Sequence, residues 1–174
     1  MPKAMEGIFI SIDGPNGAGK STFIDALSKR IYYPRIPFLT KEPTQTEFGS
    51  YVKHNEGNLS GLPYAYLICA DRCYQIENEI IPHLRAGQIV ISDRYIESSI
   101  VCQGFDGVPL EQIWDLNRNF PIPHLSILLI ADEAVIERRL SQRKFLSDFE
   151  KRMSRQEEVQ RYIEAKEFLE RKGF

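Results

Sequence analysis

Short apolar runs alternate with amphipathic stretches along this chain of 174 residues. The run IFISI at 8–12 is β-branched and almost wholly apolar, which predicts a strand buried on both faces. Similar runs predict three further strands, at 37–40, 88–94 and 125–131. Apolar residues at helical spacing predict helices in the intervals, at 21–30, 63–85, 110–120, 132–143 and 149–173. Strands that alternate with helices in this way indicate an α/β fold with a parallel sheet and helices on both faces.

Two further segments of the sequence add detail to this pattern. Residues 46–54 are polar with helix potential, and a loop follows them. Pro82 lies inside the long helical pattern at 63–85, where a proline kinks the helix or removes one hydrogen bond. Gly87 is then expected to end that helix.

A glycine-rich segment joins the first predicted strand to the first helix. Residues 14–21 read GPNGAGKS, which is the G-x-x-x-x-G-K-[ST] pattern of phosphate-binding loops. The glycines let main-chain N–H groups converge on phosphate oxygens, and the helix N-terminus adds partial positive charge. Lys20 can reach the β- and γ-phosphates, and the Ser21 hydroxyl can ligate Mg²⁺. We therefore predict ATP binding by Gly14, Pro15, Asn16, Gly17, Ala18, Gly19, Lys20, Ser21 and Thr22.

Charged residues end the third predicted strand. Asp93 and Arg94 follow the apolar run directly, and ligands of open α/β sheets bind at the carboxyl ends of the strands. An acid at this place is suited to hold Mg²⁺ or to accept a proton, and an arginine offers a fork for phosphate. A structural salt bridge at the strand end would leave the same pattern in the sequence.

Composition excludes some classes of partner. The net charge of −2 lacks the basic excess of a protein that follows nucleic-acid backbones. The longest apolar run, at 125–131, is far shorter than the roughly 20 residues that span a bilayer. No export signal is visible, and three cysteines without a C-x-x-C pattern fit a reducing cytoplasm. These features favour a small nucleotide partner, with neither a nucleic-acid polymer nor a membrane.

The phosphate-binding loop alone leaves a phosphotransferase, a GTPase-type switch and a motor fragment as alternatives. A switch that reads guanine carries an N-K-x-D segment, and none occurs here. The chain is also short for a motor with its additional domains. A kinase for a small acceptor needs basic residues at a second site, and Arg94 is a candidate for that role.

Four segments in order resemble one family. FISIDGPNGAGKST, then TKEP, then ADR at 70–72, then AGQIVISDRYIESSIVCQG at 86–104, are similar to the thymidylate kinase family. The resemblance implies a P-loop NTPase fold, a three-layer α/β/α sandwich with a mostly parallel sheet, in one domain over 1–174. It also implies transfer of the γ-phosphate of ATP to thymidine monophosphate with Mg²⁺. The family's usual last strand and helix are expected to be missing, which would leave one sheet edge open.

Roles carry over from this family by position. The resemblance places Arg94 and Lys41 at the acceptor phosphate, Lys41 standing where the family usually has arginine. It places Asp93 near Mg²⁺ and the reacting phosphates, with Ser21 as the other metal-side residue. The other acceptor positions are Asn16, Ile68, Arg72, Ser99, Cys102 and Gln103, with Arg72 and Ser99 at the base.

A basic lid at about 141–152 follows the fourth strand. Since the phosphate-binding loop contains no arginine, this lid is expected to supply one to the transferring phosphate. Arg143 matches a lid arginine of the family best, and Arg152 is a candidate for a second one. The catalytic set predicted is therefore Lys20, Asp93, Arg94 and Arg143.

Three acceptor positions depart from the family's pattern. Asn16 replaces an aspartate near the sugar, Ile68 replaces a phenylalanine that stacks on thymine, and Cys102 replaces a tyrosine that crowds the sugar. Loss of aromatic stacking costs about 0.5–1.5 kcal/mol beyond burial. The alternatives are therefore a related kinase for another nucleotide, a nucleoside or a small hydroxyl compound, or a non-catalytic nucleotide-binding relative.

Other conspicuous residues are expected to be structural. Cys69 and Cys73 lie four apart, but no further ligand has matching spacing, so we predict core packing in place of a metal site. Trp114 is expected to pack or to form an oligomer contact, and the family resemblance implies a homodimer. Surface or loop positions are predicted for His54, His83 and His124, and core positions for Tyr32, Tyr33 and Phe38.

Overall fold

The computed structural model describes residues 7–31, 36–144 and 146–174. The prediction for Tyr32 and Tyr33 falls outside these residues. The described residues form a four-stranded sheet in the order β2-β3-β1-β4, with every pairing parallel. Its strands are β1 (Ile8–Asp13), β2 (Phe38–Lys41), β3 (Ile89–Asp93) and β4 (Leu125–Leu128). The predicted parallel α/β sheet is therefore confirmed.

Successive side chains of the central strands enter two different apolar clusters. On β1, Phe9 belongs to a large cluster with residues of several helices, among them Ile80 and Phe168. Ile10 and Ile12 instead pack with Ile24 of the first helix. A strand covered on both faces explains why the run at 8–12 is apolar at nearly every position. The helices thus form layers on both sides of the sheet. Because all the pairings are parallel, the carboxyl ends of the four strands lie at the same edge of the sheet.

Nine α-helices surround the sheet in the described residues. They are α1 (Lys20–Arg30), α2 (Glu47–His54), α3 (Gly61–Gln75), α4 (Ile81–Arg85), α5 (Ile96–Phe105), α6 (Leu110–Asn117), α7 (Glu133–Ser141), α8 (Asp148–Arg152) and α9 (Arg155–Glu170). A π-helical segment, Ile76–Ile80, joins α3 to α4. None of the described helices has both the length and the apolar character that a membrane span requires.

The π-helical segment accounts for the tolerance of Pro82 within the predicted helix at 63–85. Pro82 is the second residue of α4, which continues the π-helical segment without a break. The wider turn at Ile76–Ile80 immediately precedes it and accommodates the proline. The long helical pattern is therefore correct, and its predicted irregularity takes the form of a π-helical turn.

One helix prediction was wrong, and one helix was missed. The single helix predicted at 149–173 is divided, because Met153 is extended and Ser154 caps a new helix by accepting the N–H of Glu157. The helix α5 was not predicted, because it is buried on several faces and shows no polar stripe. Since α5 carries Ser99, Cys102 and Gln103, the omission concerned an element of the site.

Candidate active site

The glycine-rich loop has a backbone that only glycine tolerates at two positions. Gly14 has φ 139°, and a Cβ there would lie 2.1 Å from the carbonyl oxygen of Leu129. Gly19, with φ 106°, is the left-handed residue that precedes α1. Lys20 therefore begins the helix, and the loop surrounds the helix N-terminus, which favours phosphate.

Lys20 is folded into the loop. Its Nζ donates to the carbonyl oxygens of Gly14 at 2.7 Å and Pro15 at 2.9 Å, and the side chain is buried. Burial, with the positive charge of Arg94 as a second cause, lowers the pKa of Lys20 to about 7. An anionic phosphate at the loop would favour the charged form of this amine.

Asp93 and Ser21 face one another across the same cleft as Lys20. Ser21 Oγ donates to Asp93 Oδ2 at 3.3 Å. Asp93 Oδ1 is buried, and it has no hydrogen-bond partner among the residues described. A hydroxyl and a carboxylate with a free oxygen suit a hydrated Mg²⁺, because that ion takes one or two carboxylates together with phosphate oxygens. The donor set present therefore fits the predicted metal.

Two cavities adjoin each other at this edge of the sheet. The donor cleft, of about 390 Å³, contains the phosphate loop, Asp93 and Arg143. The acceptor cavity has a volume of about 650 Å³. The predicted acceptor residues that line it are Asn16, Lys41, Ile68, Arg72, Arg94, Ser99, Cys102 and Gln103. Both cavities share Asn16, Lys41, Glu42 and Arg94, so they meet where a phosphate would be transferred.

Arg94 is held rigidly at this junction. It has φ 78°, a strained backbone for a residue other than glycine. Its Nη1 donates to Ser98 Oγ and to Tyr162 Oη, both at 2.8 Å, and its Nη2 donates to Asn16 Oδ1 at 2.7 Å. The Nε–H and one Nη2–H have no partner in the described part of the chain, which leaves two donors for a phosphate.

Arg72 is fully buried in a network within the acceptor cavity. Its Nε donates to Glu42 Oε1 at 2.7 Å and its Nη2 to Glu42 Oε2 at 2.5 Å. Further bonds from Nη2 reach the carbonyl oxygen of Tyr95 and the Ser99 hydroxyl, and Nη1 donates to Asn117. These bonds leave one Nη1–H without a partner in the residues described. The predicted contact of Arg72 with a base is thus limited to a single donor.

Gln103 presents an unsatisfied group in the same cavity. Its side chain is 2% exposed, and its Oε1 has no hydrogen-bond partner among the described residues. Buried polar atoms are nearly always paired, so this oxygen indicates a position where a ligand or water donates a hydrogen bond. Ile68 and Cys102 add apolar and thiol surface beside it.

The basic residues after β4 occupy three different places. Arg143 lines the donor cleft and pairs with Glu150, whose carboxylate Oε1 lies 2.8 Å from Nη1. Arg139 also lines that cleft and donates to the carbonyl oxygens of Gly17 and Ala18. Arg152 pairs with Asp106 and Asp148 and lines neither cavity. Arg152 is therefore not brought to the donor cleft in this structure, and its role as a second lid arginine stays a prediction.

Sequence reasoning missed two groups that contact Arg94 or its neighbours, Asp13 and Tyr162. Asp13 is fully buried and accepts from the N–H groups of Gly14 and Tyr95 and from the Ser98 hydroxyl. Tyr162 approaches from α9. The position of Asp13 directly before the glycine loop was a usable signal, whereas no local pattern marks Tyr162.

The residues expected to be structural lie mostly as predicted. Cys69 and Cys73 are half-buried, and the thiol of Cys69 donates to the carbonyl oxygen of Leu116. Phe38 and Trp114 pack against the core. His54 and His124 are exposed, but His83 is half-buried and stacks on Phe38 at 3.6 Å between ring centroids. The surface position predicted for His83 was therefore wrong in part.

A phosphate loop that shares an arginine with an adjoining cavity is the arrangement of a P-loop nucleotide kinase. The family model described as thymidylate kinase matches residues 12–172. The chain belongs to the thymidylate kinase family. A probable thymidylate kinase of Pyrobaculum calidifontis is 40% identical over 146 residues, covering 82% of this chain and 74% of the relative. One of Thermococcus gammatolerans is 36% identical over 167 residues, covering 88% and 79%.

Solved structures agree with this family. The thymidylate kinase of Ehrlichia chaffeensis superimposes with a TM-score of 0.64 at 28% identity, covering 77% of this chain and 78% of that chain. The thymidylate kinase of Candida albicans gives a TM-score of 0.75 at 24% identity, covering 91% of this chain and 77% of that one, and supports the fold. The predicted P-loop NTPase fold and the predicted family are therefore confirmed.

Proposed function

We propose that this protein transfers the γ-phosphate of ATP to thymidylate and forms dTDP and ADP. The observation that carries the proposal is the junction of the two cavities at Arg94, Lys41, Asn16 and Glu42. Phosphoryl transfer depends mainly on positioning and on charge stabilisation, and this junction supplies both. Membership of the thymidylate kinase family supports thymidylate as the acceptor.

On the donor side, the loop from Gly14 to Thr22 binds the phosphates of ATP. Lys20 exchanges the two loop carbonyls for phosphate oxygens and carries a full positive charge once they are bound. Ser21 and Asp93 would hold Mg²⁺ through its water shell, and the ion supplies charge neutralisation at the β- and γ-phosphates.

On the acceptor side, the two free N–H groups of Arg94 bind the monophosphate as a fork, with Lys41 as a second cation. The remaining Nη1–H of Arg72 and the Oε1 of Gln103 address the edge of the base. Ile68 covers one face of the ring through apolar contact. This pose places the acceptor phosphate at the junction, facing the donor cleft.

The segment at about 141–152 acts as the lid in this proposal. Arg143 is half-exposed and bound to the buried carboxylate of Glu150. In the closed state Arg143 exchanges this partner for the transferring phosphate, where an arginine neutralises the charge that develops on the equatorial oxygens. Exclusion of water by the closed lid protects ATP from hydrolysis.

A coupled assay of ADP release across acceptors tests the proposal. The panel contains dTMP, dUMP, UMP, dCMP, dGMP and thymidine, because the changes at Asn16, Ile68 and Cys102 concern the sugar and the base. We expect turnover with dTMP and a dependence on Mg²⁺. If another compound of the panel were the only one phosphorylated, that compound would be the acceptor in place of thymidylate. Binding of ATP without turnover of any compound would indicate a non-catalytic relative.

Lys20→Ala is the control for the chemistry. The variant removes the cation of the phosphate loop, so turnover should fall by about a thousandfold or more while the circular dichroism spectrum stays unchanged. Full activity in Lys20→Ala would contradict the assignment of residues 14–22 as the ATP site.

We propose a homodimer for the assembly. Tyr51 on α2 and Tyr66 and Tyr74 on α3 are large exposed side chains on adjacent helices. Exposed aromatic side chains are enriched at protein interfaces. Light scattering of the purified protein should give twice the monomer mass of 20.1 kDa, and a single monomer mass at micromolar concentration would contradict the dimer.

We place the reaction in the cytoplasm. All three cysteines, Cys69, Cys73 and Cys102, are free thiols, which suits a reducing compartment. Fractionation of the source cells, followed by assay of each fraction, checks this placement.

A further inference from the structure

We infer that Tyr162 is a positioning residue for the acceptor arginine, and that the helix α9 thereby forms part of the acceptor site. The inference rests on the proposed function in that it assigns Arg94 to the acceptor phosphate. Tyr162 lies 68 residues beyond Arg94 in sequence, and its side chain is 1% exposed. Its hydroxyl lies 2.8 Å from Nη1 of Arg94 and 3.1 Å from the hydroxyl of Ser98.

The donors and acceptors of this cluster can be assigned without ambiguity. The carboxylate of Asp13 can only accept, so the single hydroxyl proton of Ser98 is donated to Asp13 Oδ1, at 2.5 Å. Ser98 Oγ must then accept, and the Tyr162 hydroxyl donates to it. The lone pairs of Tyr162 remain for the N–H of Arg94. A one-way chain of hydrogen bonds therefore runs from Arg94 through Tyr162 and Ser98 to Asp13.

The Tyr162 hydroxyl is shielded from solvent and stays protonated. Burial raises the pKa of Tyr162 well above its ordinary range, more strongly than Arg94 lowers it. The hydroxyl therefore keeps its proton at neutral pH and continues to donate to Ser98. Asp13, at the end of the chain, also accepts the N–H of Gly14 at 3.2 Å and of Tyr95 at 2.8 Å. The same carboxylate thus anchors the first glycine of the phosphate loop.

This connection has a consequence for the acceptor site. Two of the three side-chain bonds of Arg94 use Nη1, and they turn this end of the guanidinium toward α5 and α9. The Nε–H and the second Nη2–H are then left for the phosphate. Without the Tyr162 hydroxyl, Arg94 would keep its charge but lose one of the contacts that fix its plane. Affinity for the acceptor phosphate should suffer more than affinity for ATP.

Tyr162→Phe tests the inference, because it removes one oxygen and keeps the buried ring. We expect the KM for dTMP to rise about ten- to a hundredfold, since hydrogen bonds to charged groups are the stronger class. The KM for ATP should change by less than about twofold, because the Tyr162 hydroxyl contacts Arg94 and Ser98 and, in the described part of the chain, none of residues 14–22. A loss that fell equally on both substrates would overturn the positioning role.

Tyr95→Phe is the matched control. Tyr95 is also fully buried, and its hydroxyl donates to the carbonyl oxygen of Pro121 at 2.9 Å, away from both cavities. It should lose thermal stability to a similar extent as Tyr162→Phe, yet leave the KM for dTMP within about twofold. If the KM for dTMP rose similarly in both variants, the effect of Tyr162→Phe would come from the loss of stability and not from the positioning of Arg94.

Ser98→Ala provides a second route if Tyr162→Phe does not fold. It breaks the same chain one link further on, so the KM for dTMP should rise again. In the double variant the rise in the KM for dTMP should be smaller than the product of the two single rises, because both substitutions break the same network. Fully multiplicative effects would contradict a shared chain.

A labelling measurement separates this inference from the proposed function. Phenylglyoxal modifies arginine, and mass spectrometry reports its rate at Arg94 without any substrate. We call the hydrogen bond between Arg94 and the Tyr162 hydroxyl the clamp. Its loss in Tyr162→Phe should raise the labelling rate of Arg94 several-fold, whereas the rate should stay unchanged in Tyr95→Phe. If wild-type protein phosphorylated no acceptor, the proposed function would fail, whereas equal labelling rates in wild type and Tyr162→Phe would overturn the clamp itself.

Discussion

Two buried ionisable side chains titrate near neutral pH in this fold. Burial and the charge of Arg94 lower the pKa of Lys20 to about 7, and burial beside Asp13 raises the pKa of Glu97 to about 8. Lys20 lies in the proposed phosphate site, so we expect its ionisation to be linked to ATP binding. Glu97 is buried against the sheet and accepts hydrogen bonds from the hydroxyls of Ser11 and Ser126. Its ionisation is therefore linked to folding.

ATP binding at pH 7 should take up a proton at Lys20. The free protein holds this amine about half protonated, and bound phosphates favour the charged form, so we expect uptake of about half a proton per site. Calorimetry in buffers of different ionisation enthalpy measures this number. Lys20→Arg stays charged throughout and is the control. Equal uptake by both proteins would contradict the lowered pKa of Lys20.

Glu97 should make the protein less stable as pH rises from about 4.5 to 8. In this window the unfolded carboxyl, with a pKa near 4.5, has lost its proton while the folded one keeps it. Rising pH therefore favours the unfolded state, and the effect levels off once the folded carboxyl also ionises. Glu97→Gln stays neutral, so its advantage in melting temperature over wild type should grow from pH 5 to pH 8. A constant difference would show that Glu97 ionises normally.

Single residues of the site were predictable where a local pattern encodes them. The glycine loop with Lys20 and Ser21 is such a pattern, because its chemistry depends on adjacent residues. The clamp on Arg94 was not predictable, since Tyr162 comes from a distant helix. The sequence also gave no indication that Glu42 occupies most of the donors of Arg72.

At the scale of elements, the end of the chain consists of two helices where the apolar spacing predicted one. The repeat S-x-x-E occurs at Ser147–Glu150 and at Ser154–Glu157, and each serine caps a helix. These capping signals were present in the sequence and indicate helix starts. The apolar period continued through both helices, which is why it concealed the break. The opposite failure occurred at α5, where burial on several faces removed the amphipathic period.

Ser154→Ala should destabilise the protein by about 1 kcal/mol, because Ser154 Oγ accepts an orphan N–H at the start of α9. Urea unfolding measures this free energy. Ser28→Ala is the control, since that hydroxyl only donates to the carbonyl oxygen of Asp25 within α1. The control should be neutral or slightly stabilising, as alanine is the better helix former. Equal losses in the two variants would contradict the capping role.

At the scale of the whole molecule, the order β2-β3-β1-β4 brings the two functional strand ends side by side. The parallel pairing of β1 with β3 places Asp13 beside Arg94, because Ile12 is in register with Asp93. The phosphate loop after β1 and the acceptor arginine after β3 are therefore neighbours by topology. This adjacency could be predicted from parallel strands, whereas the way in which α9 supports the junction required the three-dimensional structure.

The central claim is that donor and acceptor phosphates meet at Arg94, and a bisubstrate ligand tests it most directly. In this ligand, adenosine and thymidine are joined through a chain of five phosphates, so it can occupy both cavities at once. Calorimetry should give one molecule bound per chain, with affinity at least about a hundredfold tighter than thymidylate alone, because the second contact is intramolecular. Binding no tighter than ATP or thymidylate alone, or two molecules per chain, would contradict a shared junction.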